Sequence, residues 1–70
     1  MKTYQIDRLN NNGEIECTYY QKGNNRLDAY CLAEEYDEAQ KETVKTRVEG
    51  RWLIVSDPVY TSATFRVVLV

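Results

Sequence analysis

Histidine is absent from the 70 residues, which removes the commonest general base near neutral pH and the commonest zinc ligand. Two cysteines, Cys17 and Cys31, cannot complete a four-ligand structural zinc site unaided. There is one proline and there are three glycines, with no glycine-rich phosphate loop and no serine-nucleophile motif. Paired carboxylates exist, but acid/base work also needs a pocket that drives their pKa values apart, and a chain this short with one helix rarely builds one. The expectation is a non-enzyme with no catalytic residue, no metal and no cofactor. No apolar run approaches the roughly 20 residues that span a bilayer. Met1-Lys2-Thr3-Tyr4 is not followed by the apolar core of a signal peptide, so a cytosolic protein away from membranes is expected.

What is present is ordinary in amount and uneven in placement. Apolar residues make up 43% and charged residues 29%, usual for one folded domain, here residues 1–70. A domain this size buries only about 60% of its unfolded-chain surface and is marginal. The net charge of −2 implies no partner, but between Leu27 and Val44 six acids face one base, Lys41, a local balance of −5 that leaves +3 for the remainder.

The first third reads as a hairpin. Tyr4 and Ile6 alternate with polar residues, as do Ile15, Cys17 and Tyr19, and Asn10-Asn11-Asn12-Gly13 lies between. Asn-Gly tolerates the positive φ of a type I′ turn. A turn at Asn12-Gly13 sets Ile6 opposite Tyr19 and Arg8 opposite Cys17, whereas a four-residue loop shifts the pairing by two and leaves the same faces inward. Lys22-Gly23-Asn24-Asn25 is again turn chemistry.

Leu27, Ala29, Cys31 and Ala33 then alternate with Asp28, Tyr30, Leu32 and Glu34, predicting a third strand antiparallel to the second. From Tyr36 the period changes, with Ala39, Gln40, Thr43 and Val44 inward, predicting a helix of about 14 residues ended by Gly50 at C′. A rival reading starts the helix at Asn25 as N-cap with Asp28 three residues on; the strict alternation favours the strand. Trp52–Val55 and Thr64–Val70 complete the order β-β-β-α-β-β. The fold class is therefore α+β: an antiparallel sheet of four or five strands with one helix across it. With Leu27–Ala33 as a strand, Cys17 and Cys31 face inward and can lie opposite each other. Cytosolic thiols are normally reduced, so small buried hydrophobes describe them better than a disulfide.

Leu53-Ile54-Val55 and Val67-Val68-Leu69-Val70 are apolar on both faces, a mark of strands covered on both sides. One helix covers one face. The other requires a curled sheet, a second copy in a homodimer, or a partner.

Two binding surfaces compete. Lys22 and Arg26 beside Tyr19, Tyr20 and Tyr30 suggest base stacking on a sheet, but the nine bases are scattered and outnumbered, so no direct nucleic-acid binding is expected. Glu34, Glu35, Asp37 and Glu38 suit a helix start, and Asp37 with Lys41 and Glu42 with Lys45 are at intrahelical pairing distance. Glu35, Glu38, Glu42 and Glu49 then project from one outer edge, a spacing of carboxylates that imitates a phosphate backbone and attracts basic grooves.

The run Ala33-Glu34-Glu35-Tyr36-Asp37-Glu38-Ala39, a strand ending in alanine before a short acidic helix, resembles that of small acidic inhibitors from phages and mobile elements, such as anti-CRISPR proteins. The resemblance implies stoichiometric inhibition by DNA mimicry, occluding a basic nucleic-acid-binding site on a host protein or complex. Glu35, Glu38 and Glu42 would supply the charge, Glu34 and Asp37 would assist, and Tyr20 and Tyr30 would anchor the contact. The alternative is a structural or dimerisation module that uses the apolar back of the last two strands.

Overall fold

The computed structural model describes residues 1–70. The elements run β1 (Lys2–Leu9), β2 (Ile15–Gly23), α1 (Arg26–Ala33), a 3₁₀ turn (Lys41–Thr43), β3 (Lys45–Glu49), β4 (Trp52–Ser56) and β5 (Thr64–Leu69). They form one five-stranded sheet, ordered β2-β1-β5-β4-β3 and antiparallel at every pairing, with α1 as its single α-helix. The class is α+β as expected. The element order is β-β-α-β-β-β, which corrects the predicted β-β-β-α-β-β.

The first hairpin has the predicted register, Ile6 opposite Tyr19 and Arg8 opposite Cys17. Its tip differs in detail: the pairing slips by one at Arg8/Leu9, and Gly13 takes φ 79 with its amide bonded to the Asn10 carbonyl. That is a three-residue turn with a glycine bulge.

The correction lies between Asn25 and Glu49. Asn25 is a β-region N-cap whose side chain accepts the Asp28 amide at 2.8 Å. Asp28 in turn accepts the Asn24 amide at 3.0 Å. These two bonds close the helix start locally, and a strand over the same residues would forfeit both. The alternation of small apolar residues is real but also fits a short helix. Ala29, Tyr30 and Cys31 are buried, Leu27 and Ala33 pack against the core, and only Leu32 turns out. The helix ends where the Tyr36 amide reaches the Cys31 carbonyl (2.8 Å) and the Glu35 amide the Leu32 carbonyl (3.2 Å), the paired bonds of a Schellman motif. Its C′ position, usually glycine, is held by Glu35 at φ 58.

The helix predicted from Tyr36 onward is therefore replaced by turns and an edge strand. Asp37 closes a turn onto Gln40, and Val44, Thr46 and Val48 belong to an extended segment rich in β-branched residues. All of β3 is exposed, so burial imposes no period on it, and its lysine, arginine and glutamate blunt the sheet edge. Gly50, with φ 58, is not a helix terminator. It occupies the two-residue Gly50-Arg51 turn that pairs Glu49 with Trp52.

The core lies between α1 and one sheet face. It comprises Tyr4, Ile6, Ala29, Tyr30, Cys31, Leu53, Val55, Phe65 and Val67. Gly23 lets the helix approach: a Cβ there would sit 2.6 Å from the Ala29 amide nitrogen. Tyr30 rests against Phe65 with centroids 5.0 Å apart, and its hydroxyl donates to the buried carboxylate of Asp57. Cys17 is exposed on β2, which corrects its reading as a buried hydrophobe, while Cys31 is buried in α1; both are free thiols, and the juxtaposition that a third strand would have allowed does not form.

No element covers the second sheet face, yet Ile54 and Val68 on it are 4% and 5% exposed. The registers explain this. Val68 sits opposite Gln5, and Ile54 lies between Arg47 and Arg66. The Arg66 guanidinium stands 4.2 Å over the Trp52 ring and donates to Asp7 at 3.0 Å. Long amphipathic side chains thus roof the apolar strand residues. Asp7, 1% exposed, also accepts from Gln5 (3.0 Å) and Thr18 (2.8 Å). Burial pushes its carboxyl upward, but the bonds from Gln5, Thr18 and Arg66 outweigh burial and hold it below the usual carboxylate range.

Candidate functional site

Helix α1 runs back along β2, since Gly23 meets Ala29 while the Tyr19 hydroxyl donates to Glu34. This direction sorts the charges. The helix C-terminus delivers Glu34 and Glu35 to the end of the sheet that carries the β1–β2 hairpin, with Glu14 and Glu16. Asp37, Glu38 and Glu42 follow in the segment leading to β3. At the other end the strands bring Lys2 and Lys22 beside the helix start at Arg26 and the β3–β4 turn at Arg51.

The acidic residues singled out from the sequence do not lie on one helical edge, because that helix is absent. Glu35, Asp37, Glu38 and Glu42 are exposed along one irregular segment. Lys41 is its only base, and it is shared between Glu38 (2.8 Å) and Asp28 (3.3 Å); both carboxylates raise the lysine's pKa. The predicted Asp37–Lys41 and Glu42–Lys45 pairs are not formed. Glu34 is engaged within the fold. It takes the Tyr19 hydroxyl, whose pKa rises through burial and this bond, and it likewise raises the Tyr60 phenol.

The two aromatic anchors part company. Tyr30 is completely buried and cannot touch a partner, which corrects its assignment. The strand reading had placed it on an outer face, whereas the helix turns it into the core. Tyr20 is 61% exposed. It sits on the sheet face away from α1, opposite Gln5 on β1, so it does not belong to the same surface as the acidic segment.

Sequence reasoning missed the convergence of unpaired bases. Five of the nine bases form no ion pair: Lys2, Lys22, Arg26, Lys45 and Arg51. All but Lys45 collect at one end. Lys22 and Arg26 flanking the second turn were the available signal, but Lys2 and Arg51 join them only through strand pairing.

No cluster of three or more histidine, cysteine or acidic side chains is arranged to hold a metal ion. No helix is long and apolar enough to cross a membrane. Comparison with protein families, curated proteins and solved structures returned no match to this chain.

Proposed function

We propose that the protein is a non-enzymatic binding protein that occupies a basic surface of a partner through its acidic segment, Glu35 to Glu42. The observation that carries this reading is the state of that segment: Glu35, Asp37, Glu38 and Glu42 are exposed with one shared lysine among them. Glu35 supplies a further argument. It holds a left-handed position that glycine fills at lower cost, so an acid there costs stability that the helix end does not require. Four carboxylates steer association toward basic grooves and make it sensitive to salt. Occupying a nucleic-acid-binding groove in this way is inhibition by DNA mimicry, the mode of the small acidic inhibitors that the sequence resembles. Glu34, tied to Tyr19, contributes field more than contact.

Self-association through the back of the last two strands has less support, because Ile54 and Val68 are already roofed by Trp52, Arg66 and their neighbours.

The test compares the parent with a variant carrying Glu35→Lys, Asp37→Lys, Glu38→Lys and Glu42→Lys. The parent should retain, from a lysate at low salt, a basic protein whose DNA binding it then competes away in a mobility assay. The variant should do neither. Retention and competition that survive the four reversals would overturn the proposal.

A further inference from the structure

The largest cleft in the molecule lies at the end of the sheet opposite the β1–β2 hairpin and has a volume of about 420 Å³. Three of its lining residues are cationic, and they come from three separate elements: Lys2 from the start of β1, Arg26 from the first turn of α1, and Arg51 from the β3–β4 turn. Asn24 and Asn25 add polar groups, Tyr4 and two residues of β5 form the apolar part, and no acidic side chain lines it.

Two arrangements there are unfavourable for the protein alone. Arg26 donates through Nη1 to the Arg51 carbonyl at 2.9 Å and the Arg51 guanidinium stands 5.9 Å over the Trp52 ring, so the two residues are neighbours although neither has an ion-pair partner. Arg26 also places a positive charge at the positive end of the helix, while Glu34 and Glu35 follow the negative end, which is against the dipole. Asp28 is the one acid in the first turn, and it is occupied by Lys41 and the Asn24 amide. The first-turn amides of Arg26 and Leu27 have no intrahelical acceptor; the Asn25 side chain caps Asp28 only. Like charges gathered in a concave site beside free amide donors are relieved by an anion with several acceptor oxygens.

We infer that this cleft binds the phosphoryl groups of a small phosphorylated molecule, of diphosphate charge and about nucleotide size. Three cations match a diphosphate. The guanidinium forks of Arg26 and Arg51 suit bidentate phosphate contacts, Lys2 acts as a point charge, and the volume lies within the range of about 300–1,000 Å³ common to small-ligand sites. No residue of the acidic segment lines the cleft, although Lys41 ties Glu38 of that segment to Asp28 in the first turn of α1.

Amide chemical shifts followed by NMR during titration with inorganic pyrophosphate and with a nucleoside diphosphate provide the test. The expected result is saturable shifts centred on Arg26, Leu27 and Arg51, with dissociation constants of about 1 mM or tighter at low salt. Arg26→Ala with Arg51→Ala should weaken binding by about tenfold or more, while Arg26→Lys, which keeps the charge and loses the fork, should fall between. The spectrum of each variant without ligand checks that it is folded. Shifts that sodium chloride reproduces at equal ionic strength, or binding unchanged in the double variant, would overturn the inference. So would a short single-stranded oligonucleotide that binds far more tightly than either small ligand, since it would make the site part of a nucleic-acid surface.

Discussion

Replacing Asp7 by leucine removes the hub of the polar network on the uncovered sheet face. In the native protein its carboxylate is 1% exposed and accepts from Gln5, Thr18 and Arg66. Arg66 also lies over Trp52 and, with it, roofs the apolar strand residues beneath. Breaking a buried ion pair from one side costs about 3–5 kcal/mol. The Arg66 side chain remains 31% exposed and can recover part of its hydration, which reduces the expected loss to about 2 kcal/mol. A chain of this length has about 4–10 kcal/mol of stability in total, so the effect is large. With a urea m-value near 1 kcal/mol/M, the midpoint at pH 7 should fall by about 2 M. Adding Arg66→Met should restore much of the loss, because replacing both charges leaves neither one stranded. The sign with pH follows from the direction of the shift. The folded carboxyl titrates below its unfolded value, so its contribution is fully present above an unfolded pKa of about 4 and is lost as pH falls through the lower folded value. Parent and Asp7→Leu should therefore converge in acid. Stabilities within about 0.5 kcal/mol at pH 7, or a gap that does not narrow below pH 4, would refute the reasoning.

Two further predictions concern single backbone positions. Gly23→Ala puts a Cβ 2.6 Å from the Ala29 amide nitrogen and 2.8 Å from its Cα. Moving backbone against backbone should cost about 1–3 kcal/mol and lower the melting temperature by several degrees; an unchanged calorimetric transition would show that α1 can shift freely. Glu35→Gly relieves the left-handed strain at the helix C′ position and should stabilise the fold by about 1 kcal/mol in urea titration while weakening capture of a basic partner; a loss of stability would mean that the Glu35 side chain holds the helix end.

The first hairpin was legible because its determinants are local: alternation in both arms and an Asn-Gly pair between them set the register before any distant contact is considered. β4 and β5 were legible for the same reason, as β-branched and apolar runs bounded by Gly50-Arg51 and Asp57-Pro58. The central stretch was not, because its local signals disagreed. Leu27 to Ala33 satisfies a strict strand period and also fits a short helix, and the decision rests on Asn25 and Asp28 closing the helix start and on Gly23 admitting the helix to the sheet. Tyr36 to Val48 contains helix formers in its first half, but Glu35 takes the left-handed turn, and the segment beyond it gains more from pairing with β4 than from continuing a helix. Once α1 moved, Tyr30 went inside, Cys31 separated from Cys17, and the acidic stripe became an irregular exposed segment.

The sequence by itself determined the α+β class, four of the five strands, the register of one hairpin and the concentration of acid between Glu34 and Glu42, since each depends on near neighbours. Tertiary structure alone decided where the helix lies, because two local periods were compatible with the same residues and only packing against the sheet separates them. It alone decided how the second sheet face is closed, by Trp52 and Arg66 over Ile54 and Val68, residues from different strands. It also decided the charge layout: Lys2, Arg26 and Arg51 are far apart along the chain, and strand pairing and helix direction bring them to one end while carrying Glu34 and Glu35 towards the other.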